Sequence, residues 1–167
     1  MNLPAIANSN VVDLRYYFKF PTGRDWGKGG KLPGLYGGAE GAESGCTHGS
    51  GWSTRYMWRN GSQGEVYWYS VGGSGCGADL GLGSWNWPAD NQWHYVEQQV
   101  NLSAQTITVW LDGRQVYGTG ISTVNQFHVS GLFFSTFYGG HDSSWGPQTD
   151  QLAYFANFAL STQYIGA

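Results

Sequence analysis

The segment from Gly51 to Val71 restricts the fold of this chain more than any other stretch, because it has the pattern of two strands joined by a tight turn. Asn-Gly at 60–61 and Gln-Gly at 63–64 are turn-forming pairs, and they separate two runs rich in aromatic residues. Side chains two apart on a strand share one face. The alternation therefore predicts a β-hairpin with one buried face and one open face.

The two faces of this predicted hairpin differ in chemistry. If Val66 and Trp68 pack into the core, Tyr67 and Tyr69 must point to the opposite, open face. Hydroxyls, phenols and fixed positive charge on one open face suit an anionic sugar chain. The open face is predicted to carry Ser53, Arg55, Met57, Arg59, Glu65, Tyr67 and Tyr69.

The rest of the chain supports an all-β fold. Further strands are predicted at 11–20, 93–102, 106–111, 114–117, 129–138 and 151–160. The run 129–138 is nearly continuous in apolar residues and is therefore expected at the centre of a sheet. Residues 21–51 are Gly-rich and predict a long ordered loop, or loops with short strands. We expect one domain over 1–167, a β-jelly-roll sandwich of two antiparallel sheets with a concave substrate groove.

Charge and composition restrict the classes of partner that the chain is expected to bind. Seven of the eight Lys and Arg residues lie at or before Arg59, although the net charge is −3, which favours a local anion-binding surface. No basic-aromatic RNA motif is present, and no apolar run is long enough for a membrane span, so neither nucleic acid nor a membrane is expected as a partner. Nine Trp residues exceed the needs of a core and favour a sugar-binding groove as well. A monomer is expected.

The two cysteines, Cys46 and Cys76, both lie in Gly-rich sequence, where a disulfide would connect two loops. Two free thiols are the alternative. A disulfide together with abundant Trp and Gly favours a secreted, extracellular protein. Zinc-ligand spacings are absent, so no metal site is predicted and no cofactor is required. A structural calcium ion near Asp142 and Asp150 is left open.

The available side chains suit elimination better than hydrolysis. A glycosidase needs two carboxyl groups flanking the bond, and Glu65 has no second acid at a suitable spacing. A uronate lyase must neutralise the C6 carboxylate, remove the C5 proton and protonate the departing O4. Cations perform the first task, and Tyr or His the others. Arg55 and the basic loop before it supply the positive charge that favours a tyrosine phenolate.

Several segments resemble the alginate and glucuronan lyases of polysaccharide lyase families fourteen and twenty. The matching segments read Y-Y-F-K-F-P-T-G, K-G-G-K-L-P-G-L, S-T-R-Y-M-W-R, E-V-Y-W-Y-S, F-F-S-T-F-Y-G-G-H-D-S-S-W and Y-F-A-N-F. They extend from about Tyr16 to Phe158. The resemblance implies a β-jelly roll that cleaves a polyuronate by β-elimination, with a site formed by Lys31, Ser53, Arg55, Tyr67 and Tyr69.

The leading hypothesis is therefore a polyuronate lyase that leaves 4,5-unsaturated uronate ends. Its catalytic residues are Lys31, Arg55, Tyr67 and Tyr69, with Tyr69 preferred as base and acid. Ser53, His48 and Arg59 are assigned to substrate binding. The alternative is a non-catalytic, lectin-like carbohydrate-binding domain, which would use the same groove without turnover.

Overall fold

The computed structural model describes residues 6, 8–39, 50–71, 76–122, 127–140 and 142–167. Within these residues the chain forms strands joined by turns and by two single-turn 3₁₀ helices, Asn60–Ser62 and Ser143–Trp145. The strands are β1 (Val11–Lys19), β2 (Gly29–Leu32), β3 (Gly34–Gly38), β4 (Gly51–Arg59), β5 (Gly64–Tyr69), β6 (Ala78–Leu80), β7 (His94–Asn101), β8 (Thr106–Leu111), β9 (Arg114–Gly120), β10 (Val129–Phe133), β11 (Phe137–Tyr138) and β12 (Tyr154–Ser161).

One sheet has five antiparallel strands in the order β12-β1-β7-β8-β9. Its strands show the alternation expected when one sheet face is buried. Along β1, Val12, Leu14, Tyr16 and Phe18 are fully buried, whereas most of the residues between them are partly exposed. The face of this sheet that points away from the core is called the outer face below.

The second, seven-stranded sheet is built around β4. On one side, β4 pairs with β5, which pairs with β6. On the other side, β4 pairs with both β2 and β3, and these pair in turn with β11 and β10. Pro33 separates β2 from β3 because it has no amide hydrogen for a ladder. Its carbonyl accepts a hydrogen bond of 3.1 Å from the buried Tyr16 hydroxyl.

The core lies between the two sheets and uses much of the tryptophan content. Trp52, Trp58 and Trp87 are at most 1% exposed. The Trp87 ring makes edge contacts with Phe18 of one sheet and Tyr56 of the other, with centroids 5.2 and 5.5 Å apart. These inward rings confirm that the hairpin buries the face predicted from the sequence. The face predicted to be open is covered as well, since five of its residues are at most 4% exposed: Ser53, Arg55, Met57, Glu65 and Tyr69.

A polar bridge crosses this core. The Gln98 side-chain amide donates to the Thr54 carbonyl at 3.2 Å, and the Thr54 hydroxyl donates to the Gln98 amide oxygen. Both residues are fully buried, so these hydrogen bonds satisfy polar groups that water cannot reach, and the Thr54 hydroxyl also accepts from the Leu35 amide at 3.3 Å. The bridge ties β4 of the larger sheet to β7 of the smaller one.

One sequence-based expectation about strands needs correction. The predicted central strand at 129–138 is divided into β10 and β11, and both lie at the edge of the larger sheet. The break between β10 and β11 matches the break between β2 and β3 at Pro33, because β10 pairs with β3 and β11 pairs with β2. In the segment 21–51, the alternative of loops with short strands is the one that fits, since β2 has four residues and β3 has five, and Lys31 lies on β2. The antiparallel two-sheet fold, the hairpin and the final strand β12 are confirmed.

The basic residues of the first third do not form one surface. Arg24 is 8% exposed and stacks among aromatic rings of the core edge, with its guanidinium 4.5 Å from the Phe20 centroid and 4.9 Å from that of Trp58. Arg15 and Lys19 alternate with the core residues of β1 and so lie on the outer face. Lys31 and Arg55 lie on the larger sheet instead. No helix of the described residues is long and apolar enough to cross a membrane.

Candidate active site

A groove of about 530 Å³ lies on the open face of the larger sheet. Strands β2, β4 and β5 form its floor, and the segment from β10 to the second 3₁₀ turn forms one wall. Polar and aromatic groups from chain segments far apart in sequence converge there. The lining residues are Lys31, Arg55, Met57, Arg59, Tyr67, Tyr69, Cys76, Phe133, Ser135, Phe137, Gly139, Gly140 and Trp145.

Strand register brings the predicted site residues into neighbouring rows. Arg55 on β4 pairs with Tyr67 on β5, and Met57 lies beside Lys31 on β2. Cross-strand neighbours on one face have Cβ atoms about 5 Å apart, so cations and phenols are in contact range. The structure thus brings together Lys31, Arg55, Arg59, Tyr67 and Tyr69.

Lys31 is 7% exposed and lies against the aromatic floor. Its Nζ is 3.2 Å from the centroid of the Tyr67 ring and donates a hydrogen bond to the Met57 sulfur. Burial, together with the positive charges of Arg55 and Arg59, lowers the pKa of Lys31 to about 6. Near neutral pH, Lys31 is therefore largely an uncharged amine, and the approach of a carboxylate would favour its protonation.

Arg55 provides a fixed positive charge, since a guanidinium stays protonated in proteins. Its side chain is buried, and its guanidinium carbon lies 4.3 Å from the Phe133 centroid and 5.8 Å from that of Tyr69. One of its terminal nitrogens donates to the Ser135 hydroxyl at 3.4 Å. Aromatic contacts and this hydrogen bond hold the charge beside Tyr69.

The tyrosine pair is in edge-to-face contact. The ring centroids of Tyr67 and Tyr69 are 5.3 Å apart, with planes at 78°. Burial and the neighbouring Tyr69 raise the pKa of Tyr67, and the opposing effect of Arg59 is smaller. The lowering of a tyrosine pKa that the sequence argument expects is thus not found at Tyr67 in the empty groove.

Arg59 is held by two carboxylates below the groove. Its Nε lies 2.7 Å from a Glu65 oxygen, and one terminal nitrogen lies 2.7 Å from an Asp79 oxygen. Glu65 is fully buried, and burial raises its pKa to about 7 although Arg59 opposes this. Held in this way, Arg59 places its guanidinium 5.4 Å from the Tyr67 centroid.

Ser53 does not join this cluster. It lies between Tyr36 and Tyr69 in the ladder, is fully buried and does not line the groove. His48 and Cys46 lie outside the described residues, so the role of His48 and the disulfide with Cys76 stay predictions. Cys76 itself lines the groove.

The sequence analysis assigned no role to any individual residue of the groove wall. Phe133, Ser135, Phe137 and Trp145 line it, and the Trp145 ring rests against Gly140, where a Cβ atom would collide with the indole. Only the resemblance of the F-F-S-T-F-Y-G-G-H-D-S-S-W run pointed to this segment. Of the nine tryptophans, Trp145 is the one that the described lining includes; five others are buried in the core.

Metal ligands are not clustered in the described part of the chain. No group of three or more His, Cys, Asp and Glu residues there could hold an ion. Asp142, which was considered for calcium, accepts a 2.8 Å hydrogen bond from the Ser144 amide and so caps the second 3₁₀ turn.

Comparison with known families identifies the family of the chain. The family model described as Polysaccharide lyase 14 matches residues 2–158. The chain belongs to polysaccharide lyase family 14. As a family 14 member it is a polysaccharide lyase, and its seven-stranded sheet carries the groove. No curated protein sequence matches the chain significantly.

Solved structures share the fold of this family 14 lyase. The marine PL-14 alginate lyase from Aplysia kurodai is 30% identical, with a TM-score of 0.79 over 96% of this chain and 72% of that one. The alginate lyase from Chlorella virus is 22% identical, with a TM-score of 0.74 over 93% and 72%. The botulinum neurotoxin serotype C1 binding domain, at 10% identity and a TM-score of 0.61 over 95% and 35%, shares the fold alone.

Proposed function

We propose that this polysaccharide lyase cleaves a polyuronate, alginate or glucuronan, by β-elimination and leaves 4,5-unsaturated uronate ends. The observation that carries the proposal is the cluster of Lys31, Arg55, Tyr67 and Tyr69 around one groove. The name of the Aplysia kurodai structure, an alginate lyase at 30% identity, supports a uronate substrate. A neutral sugar would have no carboxylate to pair with the fixed charge of Arg55 or to favour protonation of Lys31.

Neutralising the substrate carboxylate is the first task. Arg55 is charged before substrate arrives, whereas Lys31 gains most of its charge when a carboxylate approaches, because its pKa in the empty groove is about 6. The Lys31 amine and the Arg55 guanidinium both lie at the floor of the groove, so the C6 carboxylate would be bound between them. Withdrawal of electrons by these cations makes the C5 proton easier to remove.

Tyrosine performs the proton transfers. In D-mannuronate and D-glucuronate the C5 proton and the O4 leaving group lie on the same side of the ring, so one tyrosine can serve both. The phenolate takes the C5 proton, the C5–H electrons form the C4=C5 double bond, the C4–O4 bond breaks, and O4 receives the proton from the phenol. Tyr69 is the preferred group because the fixed positive charge of Arg55 lies 5.8 Å from the centroid of its ring.

The neighbouring groups hold this arrangement in place. Tyr67 contacts both Tyr69 and Lys31, and Arg59 reaches it from the Glu65–Asp79 pair. Tyr67 is therefore assigned to orienting the sugar, and Arg59 to a subsite next to the cleaved bond. Phe133 and Trp145 in the wall offer faces for sugar stacking.

A substrate panel tests the proposal. Polymannuronate, polyguluronate and glucuronan are incubated with the protein, beside a neutral mannan as the matched control. We expect ultraviolet absorbance from the conjugated double bond with one or more uronates and none with mannan, since mannan has no C6 carboxylate to acidify C5. Cleavage of mannan, or of no uronate in the panel, would contradict the proposal.

A further inference from the structure

A second cluster of aromatic and cationic side chains lies on the outer face of the five-stranded sheet, away from the groove. It is formed by Lys19 at the end of β1, Trp93 just before β7 and Tyr154 at the start of β12, here called the outer platform. The Lys19 Nζ is 5.3 Å from the Trp93 centroid and 4.8 Å from that of Tyr154. Three segments distant in sequence thus present two rings and one cation together.

The outer platform continues along β1 as a strip. Two residues from Lys19, Tyr17 pairs with Tyr95, and their ring centroids are 5.5 Å apart. Two residues further, the Arg15 guanidinium lies 5.6 Å from Tyr17 and 5.9 Å from Tyr95. With about 3.3 Å per residue, the strip from Arg15 to Lys19 is about 13 Å long, enough for more than one sugar ring.

The rings of Trp93 and Tyr154 are far more exposed than those of the core tryptophans. Trp93 is 48% exposed and Tyr154 is 40% exposed, whereas Trp52, Trp58 and Trp87 in the core are at most 1% exposed. A cation–π contact at such an exposed position contributes only about 0.5–1 kcal/mol. The half-exposed indole and phenol beside a lysine offer ring faces and a positive charge to a ligand.

The charge of the outer platform favours an anionic ligand. Asp90 and Asp112 are engaged with His94, at 3.1 Å to its Nε2 and 2.6 Å to its Nδ1. Glu97, which pairs with Arg15 at the other end of the strip, accepts hydrogen bonds of 2.7 and 3.1 Å from the backbone amides of residues 165 and 166. Asp112 also accepts a 2.9 Å hydrogen bond from the Tyr95 amide. Lys19 contacts the two rings and has no ion pair within the described residues.

We propose that the outer platform is a second, non-catalytic binding site for an acidic polysaccharide chain. Pyranose faces stack on Trp93 and Tyr154, and a uronate carboxylate pairs with Lys19. The choice of a uronate polymer rests on the proposed function, whereas the ring and cation arrangement does not. Because the platform and the groove lie on different sheets, one long polymer, or two chains of a gel, can engage both, which raises the effective concentration of substrate at the groove.

Affinity electrophoresis in native gels containing polymannuronate tests this proposal. The groove is first silenced by Lys31→Ala with Arg55→Ala, so that retardation reports the platform alone. We expect this variant to remain retarded, and expect Trp93→Ala with Lys19→Gln in the same background to abolish the retardation. Trp93→Tyr should preserve it, since stacking is kept, and Leu82→Ala, at a loop residue that is 46% exposed, serves as the control. Each mobility is compared with that in a polymer-free gel.

Kinetics supply the second readout. In the otherwise unchanged protein, Trp93→Ala should raise the KM for long polymannuronate by about 3–10-fold and leave turnover of short uronate oligosaccharides unchanged, because only long chains reach both sites. The proposal is overturned if the groove-silenced protein migrates freely, if retardation survives loss of Trp93 and Lys19, or if a neutral glucan retards the protein equally. Retardation does not depend on turnover, so absence of lyase activity would overturn the proposed function and not the platform.

Discussion

The two groove tyrosines have different surroundings, and this difference assigns their roles. Tyr69 is 4% exposed and lies beside Arg55, whereas Tyr67 lies between Lys31 and Arg59. We expect Tyr69→Phe to lower kcat by about 10²–10⁴-fold with polymer affinity nearly unchanged, because only the transferable proton is lost. Tyr67→Phe should raise KM more than it lowers kcat.

Steady-state kinetics on polymannuronate and equilibrium binding measure these effects. Tyr117→Phe, on β9 of the other sheet, is the matched control and should behave as the wild type. Near-normal kcat in Tyr69→Phe would transfer the base role to Tyr67.

The charge of Lys31 should depend on whether the groove is occupied. Its pKa is about 6 when the groove is empty, because of burial and then Arg55 and Arg59, with Glu65 and Asp79 opposing. Above about pH 6 the free amine is mostly neutral, so binding a uronate carboxylate must draw in a proton, and affinity should fall as pH rises. Glu65, whose pKa is about 7, should release a proton when the neighbouring Lys31 becomes charged, and this release partly offsets the proton uptake by Lys31.

Calorimetric titration of Tyr69→Phe with polymannuronate, repeated in buffers of different ionisation enthalpy, counts these protons. We expect net uptake, larger when Glu65→Gln is added, and none when Lys31→Met is added. Proton release on binding, or uptake that persists in Lys31→Met, would show that Lys31 is not the group that titrates.

Among the strands, β2 depends on a close approach to β4. Gly30 lies opposite Trp58, and a Cβ atom there would overlap the indole ring and the Phe137 carbonyl. We expect Gly30→Ala to lower the free energy of unfolding by about 1–3 kcal/mol through overpacking, and to reduce kcat/KM because Lys31 is the next residue. Gly120→Ala is the control, since its nearest atom, the Gln105 carbonyl oxygen, would be 3.8 Å away.

Urea denaturation and polymannuronate kinetics on both variants are the measurements. Equal stability of the two variants would mean that β2 can move away from Trp58 at no cost.

How far an element could be predicted depended on whether its partner was local in sequence. The hairpin of β4 and β5 was predicted because alternation and turn residues lie within one segment, and this also placed Arg55, Tyr67 and Tyr69 on one face. The division of 129–138 into β10 and β11 was missed, because it depends on pairing with strands almost 100 residues earlier. The continuous run of apolar residues indicated one buried strand and could not show that it divides into two strands at the edge of the sheet.

At the scale of the molecule, the distribution of charge could not be deduced from the sequence. The excess of Lys and Arg before residue 60 suggested one anion-binding surface, yet Lys31 and Arg55 lie in the groove whereas Arg15 and Lys19 lie on the outer face. Alternation on β1 implies that Arg15 and Lys19 share a face, but which face meets solvent depends on how the two sheets stack. The groove wall containing Ser135 and Trp145 was likewise visible only as a resemblance.

At the scale of the molecule, the Cys46–Cys76 disulfide remains a prediction from the sequence. Cys76 lies at the groove, so a bridge to Cys46 would hold a distant segment against the active face. A disulfide closing a loop of this length contributes about 3–4 kcal/mol in the chain-entropy model. Mass spectrometry of the non-reduced, alkylated native protein should find a linked peptide pair, and two alkylated thiols would rule the bridge out.

The most direct test of the central claim is the ratio of unsaturated ends to new reducing ends during cleavage of polymannuronate. Elimination at C4–O4 creates one of each for every bond broken, so we predict a ratio of one to one throughout the reaction, and loss of both products in Tyr69→Phe. Reducing ends without unsaturation would show hydrolysis. Tight binding with neither product would show a carbohydrate-binding domain, and either result would contradict a lyase built on Lys31, Arg55 and the tyrosine pair.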